Sequence, residues 1–246
     1  RFYDNRPARV AEFRVLSDGT EIELTAAAYA YERSPLMERV TKTVTAAGSG
    51  QEQTSVEEAY GEAAAYPYAA GQTKFTRDIA GVETFYDYEA AVEHGAAHKK
   101  TAVTKVGGEL AAGQSRKTES FLAANGTVLV EQESVWDGDN WLPLSSGAHE
   151  YDEEGRRTKT TRGNGRVTST SWMCCGKLSE TDEDGILTSY GYNSAHQLVE
   201  TIRSEISDGD TVVTPETITT YTRDAAGREQ QTQPEQGAQA PAERLG

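Results

Sequence analysis

The sequence predicts an all-β protein built as an array of antiparallel β-hairpins, an open β-meander. Three observations predict it: a recurring Asp-x-x-Gly phrase, a succession of short β-rich runs divided by turn signals, and an apolar inventory too thin for a globular core. The phrase stands at Asp78-Ile79-Ala80-Gly81, Asp152-Glu153-Glu154-Gly155, Asp182-Glu183-Asp184-Gly185 and Asp224-Ala225-Ala226-Gly227. At a tight turn Asp accepts a backbone N–H, and Gly supplies the positive φ that closes the loop. Two copies share a longer frame, Phe75-Thr76-Arg77-Asp78 and Tyr221-Thr222-Arg223-Asp224, each followed by x-Ala-Gly. Internal repetition of this kind points to an architecture assembled from one small unit used many times.

Composition sets the remaining bounds. Leu, Ile, Val and Phe together make 39 of the 246 residues, and the net charge is −15. Taken alone, that balance leans toward disorder. Twelve Tyr and three Trp add large buriable surface, and the glycines sit at turns rather than in flexible runs. A hairpin array with one thin apolar face per strand fits this inventory. With 39 acidic against 24 basic residues, the chain repels phosphate backbones, and no stretch supplies the basic face that nucleic acid requires. No apolar run is long enough to span a bilayer, and no secretory signal is visible. Arg1 opens the chain without a methionine, and the sequence is expected to be a fragment of a longer polypeptide.

In chain order, residues 1–120 are expected to hold degenerate copies of the unit. Ser17-Asp18-Gly19-Thr20 leads into Glu21-Ile22-Glu23-Leu24, a turn and a strand, and Val40 to Thr45 alternates well. The Ala/Tyr-rich stretch from Glu57 to Gly71 is ambiguous, and Tyr88 to Lys100 is compatible with a short helix that Gly95 would weaken. Residues 121–229 read as a regular hairpin array. Asn125-Gly126 precedes Thr127-Val128-Leu129-Val130, and Asp137-Gly138-Asp139-Asn140 lies between Trp136 and Trp141, a strong hairpin signal. Asn164-Gly165 and Asp184-Gly185 each open another β-rich run, the second placing Ile186, Thr188, Tyr190 and Tyr192 on one face. Residues 230–246, with Pro234, Pro241 and several Gln, Ala and Gly, read as a linker.

Tyr151-Asp152-Glu153-Glu154-Gly155-Arg156-Arg157 resembles the YD repeat of the RHS (rearrangement hot spot) family, whose phrase is Tyr-Asp-x-x-Gly-Arg followed by a β-former. Tyr192-Asn193-Ser194-Ala195-His196-Gln197-Leu198-Val199 resembles a worn copy, with Asn for Asp and His196 at the glycine site. Thr181-Asp182 and Arg223-Asp224 keep Asp and Gly without the tyrosine. The resemblance is clearest over residues 150–230. It implies a segment of a hairpin shell in a large secreted or cell-surface bacterial protein, one that encloses or displays another domain, in some members a toxin. The partners it implies are neighbouring repeats of the same polypeptide and an enclosed effector domain or a surface glycan. Self-cleaving segments of the family carry Asp-Pro motifs, and no Asp-Pro dipeptide occurs here.

Candidate chemistry is sparse, and no enzymatic activity, cofactor or metal is expected. Cys174-Cys175 is the most unusual local feature. Adjacent Cα atoms about 3.8 Å apart make a bridge between neighbours strained and reducible. The two readings are a labile vicinal disulfide and a pair of small side chains on opposite faces of a strand or tight turn. Zinc would need further ligands. His94 and His98 would share a face only on a helix, and a solvated pair is the expectation. His149 and His196 look incidental. The acidic pairs Glu153/Glu154 and Asp182/Asp184 lie in turns, where solvated charge outweighs glycosidase chemistry. Asn125-Gly126-Thr127 matches a glycosylation acceptor but is first a turn signal. Trp136, Trp141 and Trp172 either pack across hairpins or stand exposed to stack on sugars, which leaves a glycan- or protein-binding adhesin as the alternative function.

Overall fold

A computed structural model describes residues 8–17, 20–46, 52–208, 211–223 and 228–236. The described residues are almost entirely β, and their strands pair antiparallel throughout, as the turn spacing predicts. The chain divides into two compact units, Arg1–Ser146 and Gly147–Gly246. No helix among the described residues is long and apolar enough to cross a membrane.

The first unit is a meander. Its strands are β1 (Arg9–Val15), β2 (Glu21–Arg33), β3 (Met37–Ala46), β4 (Glu52–Tyr60), β5 (Thr73–Arg77), β6 (Val82–Ala90), β7 (His98–Val106), β8 (Arg116–Leu122) and β9 (Val128–Trp136). Each pairs with the next in sequence. The sheet faces are rich in Thr, Glu and Lys, and the buried apolar groups are confined to one place. They lie where two connections, 61–72 and 91–97, join strands at one end of the unit. Ala69, Tyr88, Ala96, Phe121 and Leu122 are all less than 9% exposed there.

The ambiguous Ala/Tyr stretch is the larger of these connections. After β4 it makes a single 3₁₀ turn, Pro67–Ala69, that begins at a proline whose missing N–H is no loss at that position. Tyr68 stacks on the His98 ring at 3.7 Å and meets Tyr88 edge-on at 6.2 Å, while Tyr60 meets Tyr88 at 6.0 Å. Burial first, then the neighbouring phenols Tyr68, Tyr86 and Tyr60, push the Tyr88 hydroxyl up to about 12. Aromatic side chains thus supply the core that the aliphatic count denies.

A helix over 88–100 is overturned. Tyr88 to Ala90 finish β6, Glu93–Gly95 make one 3₁₀ turn, and β7 starts at His98. Nine residue pairs from Val82↔Val106 to Ala90↔His98 hold β6 and β7 together, so ladder bonds override a weak local helical preference.

The boundary between the units falls within β10 (Trp141–Tyr151), and the second unit continues with β11 (Arg157–Arg162), β12 (Val167–Met173), β13 (Gly176–Thr181), β14 (Leu187–Tyr192) and β15 (Leu198–Arg203). A separate hairpin of β16 (Ile206–Asp208) and β17 (Thr211–Thr214) intervenes before β18 (Thr217–Arg223) and β19 (Glu229–Gln236). Residues 230–236, expected as linker, are therefore strand, because β19 pairs with β18 from Thr217↔Gln236 to Arg223↔Glu229, and residues 237–246 lie outside the described residues.

The two ends of this unit differ. Register shifts fall at Glu150/Tyr151, Ser171/Trp172, Gly191/Tyr192 and Thr222/Arg223, always beside the turns β10–β11, β12–β13, β14–β15 and β18–β19. The pairings β11–β12, β13–β14 and β15–β18, which turn at the opposite end, run without a shift. A bulge adds one residue to one strand and increases local twist. One end of the unit is bulged and the other is straight.

Candidate functional site

The Asp-x-x-Gly phrase folds as one device. At Asp78 the backbone N–H donates to the Val82 carbonyl at 3.0 Å, and the Gly81 N–H donates to the Asp78 carbonyl at 3.1 Å. Oδ1 of Asp78 then accepts the N–H groups of Ala80 and Val82, both at 2.9 Å. The Asp152 and Asp182 turns repeat all four bonds at 2.8–3.1 Å. Gly81, Gly155 and Gly185 sit at φ of 81°, 77° and 83°, the left-handed region that only glycine enters at no steric cost. Asp224 and Gly227 lie outside the described residues.

The worn copy keeps the geometry with different residues. Oδ1 of Asn193 accepts the N–H groups of Ala195 and Gln197 at 2.9 and 3.0 Å, and His196 occupies the glycine slot at φ 59°. A further copy escaped the sequence pattern. Ala123 to Thr127 form the same loop, with Gly126 at φ 87° donating to the Ala123 carbonyl and Asn125 Oδ1 accepting the Thr127 N–H. Ala123 holds the Asp slot without a side-chain acceptor, which is what hid it.

Charge follows from these bonds. The Ile186 N–H, aided by Asp184 N–H and the Arg203 guanidinium, outweighs partial burial and holds the Asp182 carboxyl below its usual range. A lowered folded value contributes stability that is present above the unfolded value near about pH 4 and lost as pH falls through the folded one. Asp182→Asn keeps the Oδ1 acceptor without the charge, as Asn193 does. It is expected to flatten the loss of stability below about pH 4, read from urea midpoints across a pH series. An acid limb identical to that of the parent would contradict the assignment.

Several acidic groups of the turns pair with arginines. Arg162 Nε donates to Glu183 at 2.8 Å, Arg166 to Asp184 at 3.1 Å and Arg203 to Asp182 at 3.1 Å. Glu154 pairs with Arg156 at 3.2 Å. These are exposed pairs of small individual worth, and those of Arg162 and Arg166 join the 162–166 and 182–186 turns at the straight end.

At the bulged end the turns are stitched to one another. Arg156 Nε binds Asp152 Oδ2 at 2.8 Å, its Nη1 donates to the Met173 carbonyl at 3.0 Å, and its guanidinium lies 5.7 Å from the Trp172 ring centre. Trp172 Nε1 donates to the Arg157 carbonyl at 2.8 Å. From the other side, Tyr192 donates its hydroxyl to the Lys177 carbonyl at 2.9 Å. A Cβ at Gly176 would overlap the Tyr192 phenol, 2.9 Å from its Cζ and closer still to its oxygen, so any larger residue would displace that ring. The two-residue Cys174–Cys175 turn is thereby gripped on both flanks.

Both cysteines are free thiols, Cys174 exposed and Cys175 half-buried. Their sulfurs and a ring nitrogen of His196 all lie within 4.8 Å of one another. Hydrogen bonding to Cys174, then burial, pushes the Cys175 thiol up. His196, which looked incidental in sequence, is the residue that the strand order adds. The signal available was its place at a glycine site one turn along the bulged end.

The remaining histidines part company. His94, exposed at φ 57°, rests edge-on against Phe121 at 4.7 Å, whereas His98 is half-buried between Tyr66 and Tyr68. The Tyr66 hydroxyl and His98 Nδ1 are 2.5 Å apart. A solvated His94/His98 pair is corrected accordingly. Trp136 and Trp141 are half-buried and meet each other edge-on at 5.4 Å across their hairpin.

No family model matches the chain, and no curated relative matches it. Among solved structures it is similar to the crystal structure of TcdB2-TccC3 without the hypervariable C-terminal region, at 15% identity and a TM-score of 0.43. That alignment covers 87% of this chain and 12% of the other.

Proposed function

We propose that this chain is a non-catalytic wall segment of an RHS-type hairpin shell, belonging to a secreted or cell-surface protein and acting by enclosing or displaying another domain. One observation carries the reading: in Tyr151-Asp152-x-x-Gly155-Arg156 the Asp, the Gly and the Arg each have a separate mechanical duty. Asp152 caps the loop, Gly155 closes it, and Arg156 reaches from its own hairpin to the Met173 carbonyl of the next hairpin at the same end. A phrase that ties successive hairpins together is what a wall needs. Its partners are other repeats, each hiding the edge of its neighbour.

The adhesin alternative rests on exposed aromatics, and the mutual packing of Trp136 and Trp141 takes two of the three away from that role. Electron microscopy of the natural full-length polypeptide tests the proposal. A closed hollow particle that shields an internal segment from added protease is expected. An extended filament or flat sheet, with every segment equally cleavable, would overturn it.

A further inference from the structure

Cys174, Cys175 and His196 stand apart from everything the wall requires. The β12–β13 turn needs only two residues of any type that closes it, and the β14–β15 turn favours glycine in its fourth place. Instead the chain puts two thiols in the first and an imidazole at φ 59° in the second. We infer that these three side chains form a binding site for one thiophilic d¹⁰ cation, Zn²⁺ or Cu⁺.

β13 and β14 run side by side from Ser179↔Ser189 to Thr181↔Leu187, so the turns flanking them are neighbours at the bulged end. Tyr192 lies immediately before the Asn193 turn and is bonded to the Lys177 carbonyl, which fixes the two turns relative to each other. Arg156 fixes the Cys turn from the opposite flank through Met173. The donor atoms converge within 4.8 Å, with Cys174 and His196 exposed and open to an incoming ion. Around tetrahedral zinc, with bonds of about 2.3 Å to sulfur and 2.0–2.1 Å to nitrogen, ligand atoms lie under about 4 Å apart. Side-chain rotation alone covers the difference, with the backbone already in place.

The donor set selects the ion. Two thiolates and an imidazole favour soft or borderline metals over magnesium and calcium, which take oxygen. Three protein ligands leave zinc one position for water, whereas Cu⁺ is complete with three. On binding, both thiol protons pass to solvent and the metal–sulfur bonds replace them, with no change of oxidation state. The left-handed backbone of His196 gains a purpose as the conformation that aims the imidazole at the neighbouring turn.

Titration of the reduced 246-residue chain with Co²⁺, Zn²⁺ and Cu⁺ under anaerobic conditions tests the site. One ion per chain is expected, with cobalt producing thiolate charge-transfer absorption and zinc or copper raising the urea midpoint. His196→Gly restores the standard turn and folds, with a midpoint above the parent's when metal-free. It is expected to lower affinity at least about tenfold and to lose the metal-induced rise. Cys174→Ser and Cys175→Ser are each expected to abolish the cobalt band. Absence of binding at micromolar metal, or affinity unchanged in His196→Gly, would overturn the site.

Discussion

Replacing Gly61 by alanine is expected to be the most damaging small substitution in the first unit, costing about 2–4 kcal/mol. The reason is contact with rigid backbone. Gly61 donates its N–H to the Leu36 carbonyl at 3.0 Å, and an added Cβ would overlap the Pro35 carbonyl oxygen, with the Pro35 and Leu36 carbonyl carbons at 2.6 and 2.7 Å. No side chain can swing away to relieve it. The β2–β3 turn or the 61–72 connection must move, and Ala63, which donates to the Pro35 carbonyl at 2.8 Å, moves with it. Urea unfolding and amide exchange check this. Lost protection should begin in β3 and β4 and extend to the Tyr68 stack. A variant within about 0.5 kcal/mol of the parent would contradict the contact.

Truncating Phe121 to alanine is expected to cost about 3–5 kcal/mol, the range for a buried aromatic. Phe121 is 4% exposed, carries His94 on its edge and has Lys99 Nζ 5.7 Å from its ring centre. Few apolar groups stand ready to refill the space, since the buried apolar set beside it is small. Phe121→Leu is expected to recover part of the loss. Equal destabilisation by both would show that ring shape, not volume, matters at this position.

Much of this architecture is legible in the sequence because its punctuation is local. Asp78, Asp152 and Asp182 bond N–H groups only two and four residues ahead, so a short phrase contains all the information the turn uses. What escaped is non-local. Tyr66 and Tyr68 look like loop residues until the chain folds them onto His98, some thirty positions away, and an Ala/Tyr run has no periodicity to announce that. The Cys–His convergence depends on which turns share an end, and that follows from strand order alone. The bulges that distinguish the two ends leave no residue signature, because the extra residue is any that fits.

The β16–β17 hairpin shows what the straight end can accept. It occupies the connection between β15 and β18, yet those strands still pair from Glu200↔Thr220 to Arg203↔Thr217 without a slip. That connection therefore carries added sequence without disturbing the register of the strands it joins. The second unit has, in effect, one seam that can be let out while the pleats on either side keep their alignment.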